Sequence, residues 1–439
     1  MKFLCIDPAG DALDLSIRAA EAGHVVSHFI RDAPDTKEIG QGLVNIVRDF
    51  RPEMAKADLI FCADNSMFMR EIQAHRKVNP SCCIVGCCPE VHEWEISRKI
   101  GQKILHSCGI DVAPFKEFSD YDSAIRYVKK RNERLVCKPD GDADKAMSYC
   151  SCGPADLVFM LERWKKTRPL KESFIIQDFI EGIEMSTGGW FGPSGFNEGL
   201  HEDFEDKKLL ADGLGPNTGS MGAITRYTKS NLLARKVLRP LEEKLYKAGY
   251  IGCIDVSVII DKSGNPWPLE FTCRPGYPSL QIEQILRHGD PIEWLYDLCE
   301  GTDARNVIFN KVACGVMVKI LGSADKSMTH SDSVGVPIYG YDKFDQDHLH
   351  LYHAMAASCP CDGPSGVHTE IGPCSAGPYV AVVTGLGDNV DKAQRAAYDR
   401  VCRLKLPLSA VWRGDIGRRL ASEIPELHKL GYAKGLNYA

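Results

Sequence analysis

The first 90 residues alternate apolar, strand-like runs with amphipathic, helix-like runs, and this alternation constrains the fold more than any other feature. The strand-like runs include "KFLCID", "HVVSHFI" and "DLIFCAD", and the helix-like runs between them include "DALDLSIRAAEAG" and "GLVNIVRDF". Such a repeat predicts a parallel, doubly wound sheet that binds ligands at the carboxyl ends of its strands. The loop "DPAGD" after the first strand lies at such an end but is not a GxGxxG dinucleotide fingerprint.

The rest of the chain mixes short strands with helices. The strands "CIDVSVIID" and "PWPLEFTC" are joined by the turn "KSGN", which predicts a β-hairpin. The run "NLLARKVLRPLEEKLYKAG" predicts a single long helix. Because 439 residues exceed what one hydrophobic core usually supports, we expect two to four packed units.

Composition excludes several classes of function. The 53 Lys and Arg against 59 Asp and Glu give a net charge of -6, so the chain has no global basic field for nucleic acid or an anionic membrane. No apolar run reaches membrane-spanning length, and a cytoplasmic location is expected. The 18 cysteines lack paired CxxC knuckles and are interpreted as reduced, mostly buried thiols. A zinc site built from Cys359, Cys361 and Cys374 is the alternative.

Two segments offer groups that suit a nucleotide. Lys138 ends a predicted buried strand, where its charge could neutralise a phosphate; the alternative is a solvated surface lysine. The segment "QDFIEGIE" offers backbone donors and acceptors for an adenine and places Glu184 just beyond them for ribose hydroxyls. An ordinary edge strand is the competing interpretation.

The hairpin gathers carboxylates. Strand periodicity puts Asp255 and Ser257 on one face, and Glu270 and Thr272 on one face of the partner strand. Carboxylates brought together in this way suit a hard cation such as Mg²⁺. Arg274 then stands where it could clamp a phosphoryl group, unless it forms a purely structural pair with an aspartate.

The stretch "LLADGLGPNTGSMGA", residues 209–223, contains four glycines and one proline among small or polar residues. Glycines allow the backbone to approach a ligand closely. Along the chain the order is a lysine, an edge strand with a glutamate, this loop, a carboxylate hairpin and an arginine. These are the parts that phosphoryl transfer requires.

Four motifs resemble the ATP-grasp superfamily and, within it, the phosphoribosylamine–glycine ligase family: "GPNTGSMGA", "FIEGIEMS", "PLEFTCR" and "WRGDIGRRL". The resemblance implies an α/β chain with an α+β character in its ATP-grasp part. It implies an N-terminal pre-ATP-grasp domain over 1–108 with a parallel doubly wound sheet, a lid over 109–188, a central ATP-grasp subdomain over 189–325 and a small C-terminal α/β domain over 326–439.

The resemblance also implies a reaction. A carboxylate attacks the γ-phosphate of ATP, and an amine then attacks the acyl phosphate to form an amide, which in that family is an early step of purine synthesis. The implied cofactors are ATP and Mg²⁺, with Mn²⁺ as an alternative. The implied partners are glycine or another amino acid and a small amine, without nucleic acid or membrane, in a monomer or small homo-oligomer.

Carried over position by position, the resemblance implies four groups of site residues. The catalytic group is Arg274, Lys207 and Lys208. The ATP-binding group is Lys103, Lys138, Lys145, Asp178, Phe179, Ile180 and Glu184. The substrate loop is Asp212, Gly215, Pro216, Asn217, Thr218 and Gly219. The metal ligands are Glu270, Thr272 and Asp255.

The sequence departs from the family's pattern mainly at substrate positions. The loop that receives the phosphate of phosphoribosylamine, NGGREHAL in the family, is replaced by "DPAGDAL" at residues 7–13, which has two aspartates and no arginine. A metal-binding asparagine becomes Thr272, a helix lysine becomes Gln102, and the phosphate-covering loop gains Asp142 and Asp144.

Three hypotheses follow from these departures. The chain is a ligase with an altered amine or carboxylate, a divergent phosphoribosylamine–glycine ligase, or a catalytically silent protein that binds nucleotide or a partner.

Overall fold

A computed structural model of the protein describes residues 1–64, 67–139, 148–170, 173–321, 330–343, 346–364 and 366–439. The N-terminal part contains a five-stranded parallel sheet in the order β3-β2-β1-β4-β5, which confirms the predicted doubly wound arrangement. Its elements are β1 (Lys2–Ile6), α1 (Leu13–Glu21), β2 (Val25–Phe29), β3 (Ile46–Val47), α2 (Arg51–Met54), β4 (Leu59–Cys62), α3 (Met69–Val78), β5 (Cys83–Val85), α4 (Pro89–Ile96) and α5 (Arg98–Ser107).

One predicted helix of this part is wrong. The run "GLVNIVRDF" forms a turn followed by β3, because Ile46 and Val47 pair in parallel with His28 and Phe29 of β2. The branched apolar residues of this run therefore extend the sheet at its edge.

A second part forms a four-stranded antiparallel sheet in the order β6-β9-β7-β8, with two helices packed against each other beside it. Its core contains Phe118, Leu135, Leu161, Trp164 and Phe174. Its elements are β6 (Phe115–Phe118), α6 (Tyr121–Arg131), β7 (Leu135–Pro139), β8 (Tyr149–Cys150), α7 (Pro154–Thr167) and β9 (Phe174–Asp178).

A ten-stranded sheet forms the centre of the molecule, and its main path runs β15-β14-β10-β12-β13-β18-β23-β20. The predicted hairpin is confirmed as β14 and β15, with hydrogen bonds closing the turn between Asp261 and Asn265. The elements up to β18 are β10 (Gly182–Gly192), β11 (Gly195–Phe196), β12 (Leu200–Glu205), β13 (Gly222–Thr228), α8 (Glu242–Ala248), β14 (Gly252–Asp261), β15 (Pro266–Thr272), α9 (Ser279–Gln284), β16 (Arg287–His288), α10 (Pro291–Glu300), β17 (Val307–Ile308) and β18 (Val312–Ile320).

The helix predicted over 231–249 is present but irregular. The segment forms a π-helical turn (Ala234–Leu238), a 3₁₀ turn (Arg239–Leu241) and then α8. Pro240 lies in the middle of this segment, where its missing N–H and its ring interrupt the helical hydrogen bonds.

The C-terminal part contributes strands to the central sheet. Strand β23 pairs with β18 from Val312 to Lys319, and β20 pairs with β23. The elements of this part are β19 (Val334–Pro337), β20 (Leu349–Leu351), β21 (Ala354–Gly363), β22 (Gly366–Ala376), β23 (Tyr379–Gly387), α11 (Val390–Val401), β24 (Ala410–Val411) and α12 (Leu420–Lys429).

The predicted α/β class with a parallel N-terminal sheet and antiparallel ATP-grasp sheets is confirmed. The three boundaries between the four predicted units stay predictions, and the central sheet runs across the one at 325/326. None of the helices in the described ranges combines the length and the apolar character needed to cross a bilayer.

Candidate active site

A cleft of about 1480 Å³ opens between the N-terminal sheet and the central sheet. Its N-terminal wall comes from the carboxyl ends of β1 and β4 and from α4, which follows β5. Strands β10, β12, β14 and β15 supply its floor, and the glycine-rich loop and the segment before α12 supply the opposite wall. The parallel sheet therefore presents to the cleft the edge at which such sheets bind ligands.

Glu270 lies on the floor of this cleft between positive charges. Its Oε2 lies 2.6 Å from Arg98 Nη1, and its Oε1 lies 3.6 Å from Lys207 Nζ. Burial would raise the pKa of Glu270, but Arg98, Lys207 and Lys138 together hold it well below its usual range. Glu270 is therefore a stable carboxylate.

Lys207 is surrounded by three carboxylates. Its Nζ lies 3.1 Å from Glu184 Oε1, 3.4 Å from Glu205 Oε2 and 3.6 Å from Glu270 Oε1. Burial opposes the charge of Lys207, yet these carboxylates raise its pKa well above the usual range. The predicted site residues Lys207, Glu184 and Glu270 thus converge at one point.

Lys138 lies on β7 beside this cluster. Burial, reinforced by the nearby charges of Arg98 and Lys207, lowers the pKa of Lys138 to about 8. Its ammonium is therefore still mostly protonated at pH 7 but loses its charge above about pH 8, and an anion placed beside it would stabilise that charge. An anionic ligand such as a triphosphate would serve this purpose.

The residues on the hairpin fit a Mg²⁺ ion that is bound mainly through a nucleotide. Glu270 stands opposite Ser257, and Thr272 stands opposite Asp255, so all four face the cleft. Within the described ranges, the one group of three His, Cys, Asp or Glu with ligand atoms close enough to share an ion lies elsewhere. Mg²⁺ usually keeps several waters and takes one or two carboxylates plus substrate phosphates, which this arrangement allows.

Asp255 is engaged away from Glu270. Its Oδ2 lies 2.9 Å from His201 Nε2, and His201 Nδ1 lies 3.2 Å from Glu283 Oε1. Although burial opposes the charge of His201, Glu283 and Asp255 raise its pKa to about 9. Asp255 thus has a cationic partner in the protein, and its role as a metal ligand stays a prediction.

The glycine-rich loop is largely exposed and forms one wall of the cleft. Backbone bonding between Lys208 and Asn217 closes it at its base, and Thr218 donates from both its backbone N and its Oγ1 to the carbonyl of Lys207. Of the predicted loop residues, the wall includes Asp212, Asn217, Thr218 and Gly219, whereas Gly215 and Pro216 stand behind it.

The segment "WRGDIGRRL", residues 412–420, forms hydrogen bonds with this wall. Arg413 donates to the carbonyl of Lys208, and Asp415 accepts from the backbone N of Asp212 at 2.9 Å. Arg419 donates to the carbonyls of Glu184 and Glu205 at 3.2 and 3.5 Å. The C-terminal part thereby holds the loop and the two glutamates in place.

In the loop after β1, the carboxylate of Asp7 accepts hydrogen bonds from the backbone of its own loop. Asp7 Oδ1 accepts from the backbone N–H groups of Gly10 and Asp11 at 2.9 and 3.1 Å, and Oδ2 accepts from that of Ala12 at 2.7 Å. We call these three N–H groups the amide cradle. His28 Nε2 lies 3.3 Å from Asp7 Oδ2, and both side chains are fully buried. The donors that could hold an anion at the start of α1 are therefore occupied from within the chain.

Arg274 lies between this loop and the hairpin. Its Nε lies 3.2 Å from Glu95 Oε1, and its guanidinium faces the ring of Tyr277. Burial opposes its charge, but Glu95, Asp64 and Asp11 raise the pKa of Arg274 above its usual range. Arg274 lines the cleft, as its predicted role in clamping a phosphoryl group requires.

Several predicted site residues lie away from the cleft lining that the described residues form. The backbone N of Asp178 bonds to the carbonyl of Pro114, its carboxylate pairs with Arg131 at 3.0 Å, and the Phe179 ring packs under Arg134. Asp178, at the end of β9, and Phe179 and Ile180, which follow it, thus lie outside that lining. Lys103 is solvent-exposed on α5 and also lies outside it. Lys145 falls outside the described residues.

Arg98, His201 and Arg419 contact the predicted site residues but were not predicted themselves. Arg98 lies in the run "WEISRKIGQKIL", four residues before Gln102, which is the residue of this run that the resemblance singles out. The alternating charges of "HEDFED" on β12 were a signal for His201, because alternate residues of a strand share one face.

The alternative zinc site does not gather its three thiols. Cys359 Sγ lies 2.8 Å from Cys374 Sγ, whereas Cys361 donates to the carbonyl of Cys359 instead. These thiols do not form a close group of three ligands within the described residues. Most of the 18 cysteines are buried, as predicted.

Comparisons with known proteins point to one superfamily. The family profile described as Phosphoribosylglycinamide synthetase, ATP-grasp (A) domain matches residues 96–280. The phosphoribosylamine–glycine ligase of Leptospira interrogans is 28% identical over 222 residues, which span 47% of this chain and about half (51%) of that enzyme. That of Xanthomonas campestris is 27% identical over 354 residues, covering 76% of this chain and 77% of the relative.

Solved structures share the fold. The crystal structure of the phosphoribosylamine–glycine ligase of Thermotoga maritima aligns with a TM-score of 0.70 and 17% identity over 95% of this chain and all of that one. The biotin carboxylase domain of the Hydrogenobacter thermophilus 2-oxoglutarate carboxylase, solved with MgADP, aligns with a TM-score of 0.61 and 12% identity over 93% of this chain and 91% of that one. The chain is a member of the ATP-grasp superfamily and a distant homologue of phosphoribosylamine–glycine ligase.

Proposed function

We propose that the protein is an ADP-forming ligase that joins a small carboxylate to an amine through an acyl phosphate. One observation carries this proposal: Arg98 and Lys207 converge with Glu270 and Glu184 in a cleft walled by the glycine-rich loop, and the charge of Lys138, beside the cleft lining, interacts with all four. Three cations suit a triphosphate, and the carboxylates suit its bound metal and its ribose. The matching profile and the relatives carry names of ligases of this kind.

The proposed reaction has two steps. A carboxylate oxygen attacks the γ-phosphorus of ATP, the bond from that phosphorus to the bridging oxygen breaks, and ADP leaves. The amine nitrogen then attacks the acyl carbon, and inorganic phosphate leaves with the electrons of the carbon–oxygen bond. The attacking nitrogen gives up one proton as the amide forms, and the nucleotide stays unchanged in this second step.

Each side chain has a role that its position supports. Lys138, Lys207 and Arg98 would neutralise the phosphates, with Lys208 beside them, and Arg274 would hold the phosphoryl group in transit. Glu270 and Thr272 would hold Mg²⁺, or Mn²⁺, which polarises the phosphate oxygens when bound. Glu184 would accept from the ribose, and the backbone of Phe179 and Ile180 would face the adenine.

The first loop favours an amine other than phosphoribosylamine. The carboxylate of Asp7 satisfies the amide cradle and would repel a phosphate placed there. A divergent phosphoribosylamine–glycine ligase is the second candidate, favoured by relatives of that name that match three quarters of the chain. It would have to bind the sugar phosphate outside the cradle.

A panel assay tests the proposal. ADP release is measured with Mg–ATP while glycine and other amino acids are crossed with phosphoribosylamine and with phosphate-free amines. We expect ADP formation that needs both a carboxylate and a phosphate-free amine, together with a stoichiometric amide detected by mass spectrometry. ADP formation with phosphoribosylamine alone would favour the second candidate. Tight ATP binding without ADP formation for any pair would favour a silent nucleotide-binding protein.

A further inference from the structure

The second step of the proposed reaction releases a proton from the attacking nitrogen, and a side chain beside that nitrogen must accept it. The floor of the cleft offers six side chains that can bind a proton, and all of them line the cleft: Glu184, His201, Asp203, Glu205, Asp255 and Glu270. Their partners within the protein differ, and this difference selects one of them.

Three of these carboxylates share a lysine. Lys207 Nζ lies within 3.6 Å of Glu184, Glu205 and Glu270. Arg98 also pairs with Glu270. A carboxylate held by a cation resists protonation, because the added proton gives up the attraction of the ion pair. These three carboxylates are therefore suited to hold charge and are poor proton acceptors.

Asp255 and His201 are excluded for a related reason. Asp255 Oδ2 lies 2.9 Å from His201 Nε2, so this carboxylate has a cationic partner whenever the histidine is protonated. Burial opposes the charge of His201, but Glu283 and Asp255 raise its pKa to about 9. His201 therefore carries a proton on both ring nitrogens at neutral pH and has no free acceptor.

Asp203, on β12, has a different set of partners. Its Oδ1 accepts from Thr225 Oγ1 at 2.5 Å, and its Oδ2 lies 3.4 Å from Ser279 Oγ. Among the described residues, no ion pair accompanies these two contacts. A hydroxyl group donates to a carboxylate and accepts equally well from a carboxylic acid, so Asp203 stays hydrogen-bonded with or without a proton.

The surroundings of Asp203 keep it close to its titration point at neutral pH. Burial raises its pKa most, Glu205 and Asp255 raise it further, and Thr225 and His201 lower it, which leaves the pKa at about 7. Asp203 is only 6% exposed, yet it lines the cleft. A carboxyl group of this kind can take a proton from a nitrogen and release it again at the working pH of an enzyme.

The register of the central sheet places Asp203 in one row with the predicted metal ligand Glu270. Glu270 on β15 stands opposite Ser257 on β14. Ser257 stands opposite Ser186 on β10, and Ser186 stands opposite Asp203 on β12. Three strand intervals therefore separate the two acidic residues by about 14 Å along the floor. The serines between them have short side chains that line the cleft, so an acyl phosphate bound beside Glu270 has room to lie over them.

We infer that Asp203 is the general base of the second step and takes the proton from the attacking nitrogen as the nitrogen–carbon bond forms. The electron pair of the N–H bond stays on nitrogen, the bond from the acyl carbon to the phosphate oxygen breaks, and Asp203 then passes the proton to water or to the departing phosphate. The inference rests on the proposed ligase function, because this proton is released only if an amide forms.

Asp203→Asn removes the base and keeps the size of the side chain. With the carboxylate and amine identified by the panel assay, amide formation should fall by about 100-fold or more. Hydroxylamine serves as a second nucleophile, which traps the acyl phosphate as a hydroxamate. Its weakly basic nitrogen gives up a proton readily to water, so the variant should form ADP and hydroxamate at nearly the wild-type rate. Asp388→Asn, at an exposed ion pair outside the cleft lining, is the matched control and should change neither rate.

The pH profile distinguishes a base from a carboxylate with a structural role. The wild-type rate of amide formation should rise as pH passes through about 7, because Asp203 must be ionised to accept a proton. Asp203→Asn should lose this rise. Thr225→Val removes the hydroxyl that stabilises the ionised carboxylate and should move the rise to higher pH while amide formation persists. Because Thr225→Val keeps Asp203, it tests the inference even if Asp203→Asn folds poorly.

The failure of the inference and the failure of the proposed function give different results. Amide formation by Asp203→Asn at the wild-type rate and with the wild-type pH profile would overturn the inference. Equal losses of amide and hydroxamate would also overturn it, because Asp203 would then act before the amine attacks. Both results leave the ligase function intact, since the wild type still forms ADP and amide. Absence of ADP from the wild type with any pair would contradict the ligase and the inference together.

Discussion

At the scale of single residues, Glu270 is the first test of the metal site. Glu270→Gln should lower ADP formation by about 100-fold or more, because a neutral amide is a weak ligand for Mg²⁺. Metal-free ATP binding should persist or tighten, because Arg98 and Lys207 lose the carboxylate that neutralises them. ADP release and nucleotide affinity with and without Mg²⁺ are the measurements. Glu243→Gln, at an exposed pair with Lys247, is the matched control and should keep full activity.

Lys138 gives a prediction about pH. Its pKa is lowered to about 8, so its charge is lost as pH rises through that value. ATP affinity of the wild type should therefore fall by about tenfold above about pH 8, because one phosphate partner is lost. Lys138→Arg keeps a charged side chain and should show a much flatter profile. A wild-type affinity that is constant from about pH 7 to about pH 10 would contradict this role.

His201 gives a prediction about stability. Its pKa in the folded chain is raised to about 9, above the ordinary value for histidine. Its charged form therefore stabilises the fold fully below about pH 6.5, and this contribution is lost as pH rises through about 9. It amounts to on the order of 3 kcal/mol. Asp203 titrates in the same cluster, because burial and Glu205 raise its pKa to about 7. The contribution of His201 is therefore measured by comparing the wild type with a variant that lacks His201.

Chemical unfolding of the wild type and of His201→Asn at several pH values measures this contribution. The difference in free energy of unfolding should be largest below about pH 6.5 and should shrink as pH approaches and passes about 9. A difference that stays constant over this range would mean that folding does not raise the pKa of His201.

At the scale of elements, two glycines of the segment 209–223 have different roles. Gly222 begins β13 with φ +141°, and a Cβ there would lie 2.1 Å from the carbonyl oxygen of Gly315 on β18. Gly219 has open space around it and lines the cleft. Gly222→Ala should therefore destabilise the protein by about 3 kcal/mol or more. Gly219→Ala should change stability by less than about 0.5 kcal/mol and should alter substrate affinity instead.

Thermal unfolding and steady-state kinetics of the two variants separate these effects. Equal melting temperatures for both variants would show that the close approach at Gly222 relaxes without cost.

Local elements could be predicted where periodicity and turn chemistry agree. The strands of the parallel sheet other than β3, and the hairpin β14–β15, were predicted, because their apolar pattern and the "KSGN" turn lie within short segments. The helix over 231–249 was predicted without its π-helical and 3₁₀ turns, although Pro240 in the sequence indicates an irregular helix. The pairing of β18 with β23 depends on contacts between distant segments, which no local pattern contains.

Prediction of the site residues was likewise limited to those that local motifs identify. Glu270, Lys207 and Glu184 were identified through the order of their motifs and the resemblance, and the structure brings them together. Arg98 was missed because its partner Glu270 is far away in the sequence. The pairing of Asp255 with His201 was missed for the same reason, because the two lie on β14 and β12, and β10 separates these strands in the sheet.

At the scale of the whole molecule, the central sheet joins parts that the resemblance separates at 325/326. β18 pairs with β23 over most of its length, and α11 packs on both strands. A chain that ends at residue 325 should therefore fail to fold, because the edge of β18 and the apolar side chains of Val316 and Val318 would be exposed. Circular dichroism and limited proteolysis, compared with the full chain, measure this. A cooperative melting transition in the shortened chain would contradict it.

The carboxylate of Asp7 has a consequence for how the protein behaves in a solution full of phosphorylated compounds. Because Asp7 is tethered three residues before the first of the amides that it accepts from, it is present there at an effective concentration that a dissolved anion does not reach. Inorganic phosphate, which the proposed reaction releases, therefore meets an internal competitor at this loop. Product inhibition by phosphate is expected to act only through the nucleotide side of the cleft.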